Sequence, residues 1–277
     1  MAKITAAEVN KLRKHTGTGM MDCKKALVEA EGDFDKAIAI LRKKGQKVAE
    51  KRSDRDANEG VVVAGATEDS SYAAIITLNC ETDFVAKNDD FVAVAKGILT
   101  IALNEKPESI EDLRAAKFDD SMTVTEKLIE EVGKIGEKIQ LSYFDVVSAA
   151  KTVAYNHPGY QTATIVALNQ NNDDAAAAGR NVAMQIAAMN PIALDEENVS
   201  DEIKARELEI GRELALKEGK PEAILDKIAQ GKLQKYYKDN TLLNQQYFVD
   251  NKISVKAYLQ SVNKDLTVTD FKRSSLV

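Results

Sequence analysis

The chain carries one strand-like segment twice. YAAIITLN at 72–79 returns as TATIVALN at 162–169, and Ile75, Leu78 and Asn79 fall on Ile165, Leu168 and Asn169 at a constant offset of 90 residues. Each copy lies in the same setting. VVVAG and a polar turn precede the first, and KTVAY and the turn NHPGY precede the second, so each reads as a hairpin. A helical pattern follows each. Phe91, Val92, Ala95, Ile98, Leu99 and Ala102 line one helix face after the first copy, and GRNVAMQIAAM follows the second. A short apolar strand cannot bury itself alone, so the repeat predicts a core of two related antiparallel-sheet-plus-helix halves, an α+β fold.

The flanking segments differ from this core. Thr5 with Glu8 forms a capping box, and Val9 and Leu12 begin an amphipathic helix that Gly17 and Gly19 interrupt. A second helix, about Met20 to Ala30, puts Cys23, Ala26, Leu27 and Ala30 on one face, and a third runs from about Phe34 to Lys44. Residues 1–55 therefore read as a three-helix head and linker. KVAEKRSDRDANEG lacks apolar periodicity and reads as a partly helical, solvent-exposed linker that lets the head move. The first half of the core is expected over 56–140 and the second over 141–277, with a helix near 124–132 and a strand in KIQLSYFDVV between the two repeats. Within the second half, the charged segment 200–238 reads as a protruding antiparallel helical hairpin. Its expected seam is Ile203, Ile210 and Leu214 against Ile224, Ile228 and Leu233. A C-terminal module at 241–277 follows, with a helix over 255–262, a strand in LTVTDF that completes the second sheet, and a frayed KRSSLV.

Charge separates the head from the rest. The chain has 38 basic and 44 acidic residues, but residues 1–55 hold 14 Lys/Arg against 8 Asp/Glu, so a basic head precedes an acidic body. Only the head is a candidate for nucleic acid, and Lys24, Lys25, Lys43 and Lys44 lack the interleaved aromatic and Arg residues of such a site. No export signal or membrane span is read, and a cytoplasmic location is expected.

The usual catalytic patterns are missing. There is no GxxxxGK[ST] loop to cradle phosphates, GTGMMD lacks the third glycine of a dinucleotide fingerprint, and His15 with His157 supplies no zinc set, so no cofactor or metal is expected. Cys80 beside Glu81 and Asp83 is a poor nucleophile, because neighbouring carboxylates disfavour the thiolate. Two local features stand out instead. In CETDFVAKND the apolar pair Phe84 and Val85 lies between acids in a strand-to-helix connection, and Met20 and Met21 are consecutive, so both cannot face one small core. Exposed Met is an adaptable contact residue.

LRKHTGTGMMDCKKAL (12–27), EGDFDKAI, NCETDFVAKND, KIGEKIQL, the HPG turn, NVAMQIAAMNP and EGKPEAILDKIAQGKL, in that order, closely resemble bacterial elongation factor Ts. NQNNDDAAAA departs from the family's usual text. The resemblance implies a ubiquitin-associated-like head, a two-half core, a helical arm and a C-terminal module. It also implies a guanine-nucleotide exchange factor, without covalent chemistry, whose partner is elongation factor Tu. By position, Thr82, Asp83, Phe84 and Val85 would form the loop that enters the partner's G domain beside magnesium. Leu12, Arg13, Met20, Met21 and Lys24 would form the head's contact, His157 the contact near the phosphate loop, and Phe248 with Val249 an apolar pair on a partner helix. An RNA-binding protein and a Cys80 enzyme are the rival readings.

Overall fold

The computed structural model describes residues 4–276. Two three-stranded antiparallel sheets pack face to face, and each carries a long helix on its outer side. The first sheet consists of β1 (Glu59–Ala66), β2 (Tyr72–Cys80) and β5 (Gln140–Ser148), in the order β1-β2-β5. The second consists of β6 (Lys151–Asn156), β7 (Thr162–Leu168) and β8 (Val268–Ser275), in the order β6-β7-β8.

The repeated strands β2 and β7 are central in their sheets and buried on both faces, which explains apolar runs without alternation. Ile75 and Ile165 both enter the layer between the sheets, with Val62, Ala73, Ala163 and Ala167. Leu78 and Leu168 point outward, Leu78 into the core under α5 (Asp89–Glu105) and Leu168 into that under α8 (Asp173–Met189). The repeat is thus one structural unit used twice. Asn79 and Asn169 match as well. Asn79 joins the Glu59 carbonyl to the Ser142 hydroxyl, and Asn169 bonds the Asp265 carbonyl and the Thr267 amide.

The head is three helices, α1 (Ala6–Thr16), α2 (Met20–Glu29) and α3 (Phe34–Lys51), around Leu12, Cys23, Ala26, Leu27 and Ala37. The Thr5–Glu8 capping box is present. The expected free linker is not. Helix α3 continues through Gly45 to Lys51 and crosses α7 (Val124–Ile135), where a Cβ at Gly45 would lie 2.9 Å from the Ile129 carbonyl oxygen and one at Gly133 2.9 Å from Gly45 Cα. Two facing glycines let the helix backbones touch, and Val48 and Ala49 then pack on the first core. The head is docked.

The first half also contains α4 (Asp83–Ala86), α6 (Ile110–Ala115) and a small hairpin, β3 (Lys117–Asp119) and β4 (Met122–Thr123). A division at 140/141 would detach β5 from its sheet, since Gln140–Ser148 pairs with β2. The two sheets part between Ser148 and Lys151.

The arm is α9 (Asp201–Lys217) packed on α10 (Glu222–Asn240), but its seam differs from the expected one. Of the expected residues, Leu233 is buried and Ile203 packs in the same cluster, whereas Ile210, Leu214 and Ile224 are exposed, and Gly211, Ala215 and Ala229 are buried in the seam instead. Small residues bring the helices close: a Cβ at Gly211 would meet Ala229 Cα at 3.0 Å. Helix α11 (Val255–Val262) covers α8, and β8 closes the second sheet. KRSSLV does not fray as expected. Lys272–Ser275 pair with Ile165–Thr162, and the Leu276 amide bonds the Gln161 carbonyl at 2.9 Å. Val277 lies outside the described residues.

Candidate functional site

The two halves differ where a strand passes into its helix. Asn169 is four residues from the start of α8, but Asn79 is ten from the start of α5. The first half thus has six additional residues that the repeated core does without, and they hold the one-turn helix α4. Thr82 is its N-cap, and Asn88 caps α5 immediately afterwards. The turn is anchored by Ala86, which is buried, and by Val85, which packs against the first core. Phe84, between the anchors Thr82 and Val85, is 84% exposed. Burying a Phe gains about 1.5–3 kcal/mol, so an aromatic ring held in water on a fixed turn is suited to a partner's pocket. Of the apolar pair expected here, one residue anchors and the other projects.

Beside it, the Asp83 carboxylate accepts from Lys87 Nζ at 2.6 Å, which holds its pKa below the ordinary carboxylate value and raises that of Lys87. Such an exposed pair contributes little and opens easily. Asp83, Lys87 and Asp89 share a cleft of about 440 Å³ with Gly159 and Tyr160 from the β6–β7 turn of the other half. Tyr160 bridges the halves: its carbonyl accepts from the Val62 amide at 2.6 Å and its hydroxyl from Lys96 Nζ at 3.0 Å. His157, in the same turn, is exposed, with Nδ1 3.0 Å from the Tyr155 hydroxyl. The structure therefore places the 82–85 loop and the His157 turn at one end of the core.

The head adjoins this end. A Cβ at Gly17 would lie 2.7 Å from Lys134 Cε, and Lys134 Nζ reaches Asp90, in the first turn of α5, at 4.0 Å. Met20 and Met21, just beyond the Gly17–Gly19 linker, are 51% and 64% exposed, and Arg13 and Lys24 are also exposed. Leu12 is a correction to the expected head contact. It is fully buried in the head's core and has no surface to offer. Phe248 and Val249 are exposed, as a contact pair must be, but lie in the opposite outer layer, where the Phe248 amide donates to Gln185 of α8 at 2.9 Å.

Cys80 is fully buried, and burial, with the Glu137 carboxylate next, pushes its thiol up to about 12. A thiol so placed is neither ionised nor accessible at neutral pH. Among the described residues there is no group of three or more His, Cys, Asp or Glu able to hold a metal ion, and no helix long and apolar enough to cross a membrane.

The family model described as Elongation factor TS matches residues 81–276, beginning at the loop base and running through the second sheet. The chain belongs to this family. Relatives named elongation factor Ts match over nearly the whole length: that of Christiangramia forsetii is 54% identical over all of both chains, and that of Amoebophilus asiaticus 51% over 98% of each. That of Porphyromonas gingivalis is 48% identical over 99% of this chain and 98% of its own. The α+β architecture described above is this family member's fold.

Reading residues in sequence missed the groups that hold the loop base. Glu137 accepts from the amides of Glu81 and Thr82 at 3.1 and 3.0 Å and from the Thr82 hydroxyl at 2.7 Å. Arg52 donates to both oxygens of Glu81, at 2.7 and 2.9 Å. No local pattern marks them. Glu137 follows a helix-ending glycine 55 residues from Thr82, and Arg52 lies in a stretch that reads as solvated linker.

Proposed function

We propose that this chain is a guanine-nucleotide exchange factor that binds elongation factor Tu with GDP, disturbs its magnesium and phosphate site and promotes GDP release during translation elongation. The observation that carries the reading is Phe84, exposed on an anchored turn that the duplicated core does not need. Membership of the elongation factor Ts family supports the partner.

GDP is retained by a G domain through magnesium and charge-assisted contacts to phosphate. Phe84 enters an apolar gap of that domain, while Asp83, released from Lys87, and the backbone around it displace elements of the magnesium shell. Arg13, Met20, Met21 and Lys24 hold the same domain from the head. His157 approaches the phosphate-loop side, and Phe248 with Val249 touches a partner helix. No covalent bond is made or broken. Because linkage is reciprocal, a factor that prefers the nucleotide-free partner is expelled when nucleotide rebinds, and so acts repeatedly. A thousandfold acceleration requires about 4 kcal/mol off the barrier. Burial of one Phe provides about 1.5–3 kcal/mol of this, and the lost metal contacts the remainder.

The test is stopped-flow release of fluorescent GDP from elongation factor Tu with substoichiometric amounts of this protein. Acceleration is expected, and Phe84→Ala should slow release far more than it weakens binding. Equal loss in both would make Phe84 a mere anchor, and no acceleration by the folded wild-type protein would refute the reading.

A further inference from the structure

Three segments far apart in sequence meet beneath the Phe84 loop: the end of α3 in the head, residues 81–82 before α4, and residues 137–138 between α7 and β5. The junction is reciprocal. The Glu137 carboxylate takes the amides of Glu81 and Thr82 and the Thr82 hydroxyl, while the Glu81 carboxylate takes the Lys138 amide at 2.6 Å and the guanidinium of Arg52. Lys138 Nζ completes the circuit by donating to the carbonyls of Ser53 and Arg55 at 2.7 and 2.9 Å. The amides of Glu81 and Thr82 lie past the end of β2 and have no strand partner, so Glu137 substitutes for a missing strand. The Lys138 amide, followed by Arg52, holds the Glu81 carboxyl below its ordinary pKa, so that carboxylate is ionised at neutral pH. Helix α3, already pinned to α7 at Gly45 and Gly133, thus also grips the loop through Arg52, its C-cap.

We infer that Glu137 and Arg52 are positioning residues for Phe84, and that through Arg52 the head's third helix sets the aim of the loop. This rests on the exchange reading proposed above. Neither residue has to touch the partner. The head and loop act as one stiff body, so seating the head on a partner brings Phe84 to its gap without a further search. Misplacing a reacting element by about 1 Å costs up to a hundredfold in rate.

Arg52→Ala, Arg52→Lys and Glu137→Gln would be compared with the wild-type protein in two assays. Hydrogen exchange of the free protein reports the amides of residues 81–86, and stopped-flow GDP release reports the maximal rate and the half-saturating concentration separately. Arg52→Ala and Glu137→Gln should speed amide exchange in 81–86 while β2, β7 and α8 stay protected. They should lower the maximal rate by about tenfold, with half-saturation within about threefold, and Arg52→Lys, which keeps the charge but loses the guanidinium, should recover only part of both. Unchanged protection of 81–86, an unchanged maximal rate, or equal loss of rate and affinity would overturn the inference. If the wild-type protein fails to accelerate release, the exchange reading fails, and hydrogen exchange alone then decides whether the junction holds the loop.

Discussion

Replacing Gly45 by Ala adds one methyl group where helix α3 lies against α7. The new Cβ would sit 2.9 Å from the Ile129 carbonyl oxygen and 3.5 Å from Gly133 Cα, both backbone atoms that no rotamer change can move aside. Restoring ordinary contact requires the helices to separate by about half an ångström, a shift shared by Val48 and Ala49 on the first core, and overpacking of this kind costs about 1–3 kcal/mol. Against it stands the gain of about 1 kcal/mol that Ala has over Gly inside a helix. Gly231 supplies the control, since it is exposed within α10 and a Cβ there meets nothing within 4 Å. Gly231→Ala should therefore stabilise by about 0.5–1 kcal/mol, while Gly45→Ala should destabilise. Propensity is common to both substitutions, so their difference of about 1–3 kcal/mol isolates the crossing. Urea titration of both variants measures it, and thermal midpoints should move in opposite directions by about 2 °C per kcal/mol. If the two variants shift stability alike, the head is not held by a close helix contact.

Leu12→Ala should cost about 2–5 kcal/mol in denaturant titration by opening a cavity in the head. Met21→Ala should stay within about 0.5 kcal/mol of the parent in stability and lower affinity for elongation factor Tu instead. The Cys80 thiol keeps its proton in the folded chain up to about pH 12, whereas in the unfolded chain it ionises from about pH 9. The unfolded state then binds fewer protons, so stability falls as pH rises through this window, by about 1.4 kcal/mol per unit from this group. Cys80→Ala should remove that part of the alkaline slope in denaturant titrations between pH 9 and 11. A slope equal to the parent's would show that Cys80 ionises freely when folded.

The sequence announced the features that depend on apolar periodicity. The offset of 90 residues predicted a duplicated core, and Ile75 with Ile165 between the sheets and Leu78 with Leu168 on the helix sides carry it out. Where contact depends on small or charged residues, periodicity misleads. The arm was expected to join through Ile210, Leu214 and Ile224, but helices that approach through Gly211 and Ala229 leave no room there for branched side chains. Helix α3 outran its expected end because its extension contributes only Val48 and Ala49 to a core supplied by other segments. That at least one of Met20 and Met21 is exposed could be deduced from helix geometry alone, whereas exposure of both, and burial of Leu12, follow from the way three helices close around one another. The junction of Arg52, Glu81 and Glu137 was invisible, since each carboxylate's partners come from distant segments and no spacing encodes them.

The third strand of the second sheet has a consequence for synthesis. Strand β7 ends at Leu168, and the strand that covers its free edge begins at Val268, with the arm and α11 between them. At a translation rate of about 5–20 residues per second, the ribosome takes about 5–20 s to deliver that partner. The first sheet obtains all three strands by Ser148, long before the second is complete. Meanwhile TATIVAL, mostly apolar and buried on both faces once the sheet is complete, presents one unpaired row of amides and carbonyls, the kind of edge that recruits strands from other chains. A nascent factor thus carries this exposed edge through the later part of its production, while the strand that would protect it is still untranslated.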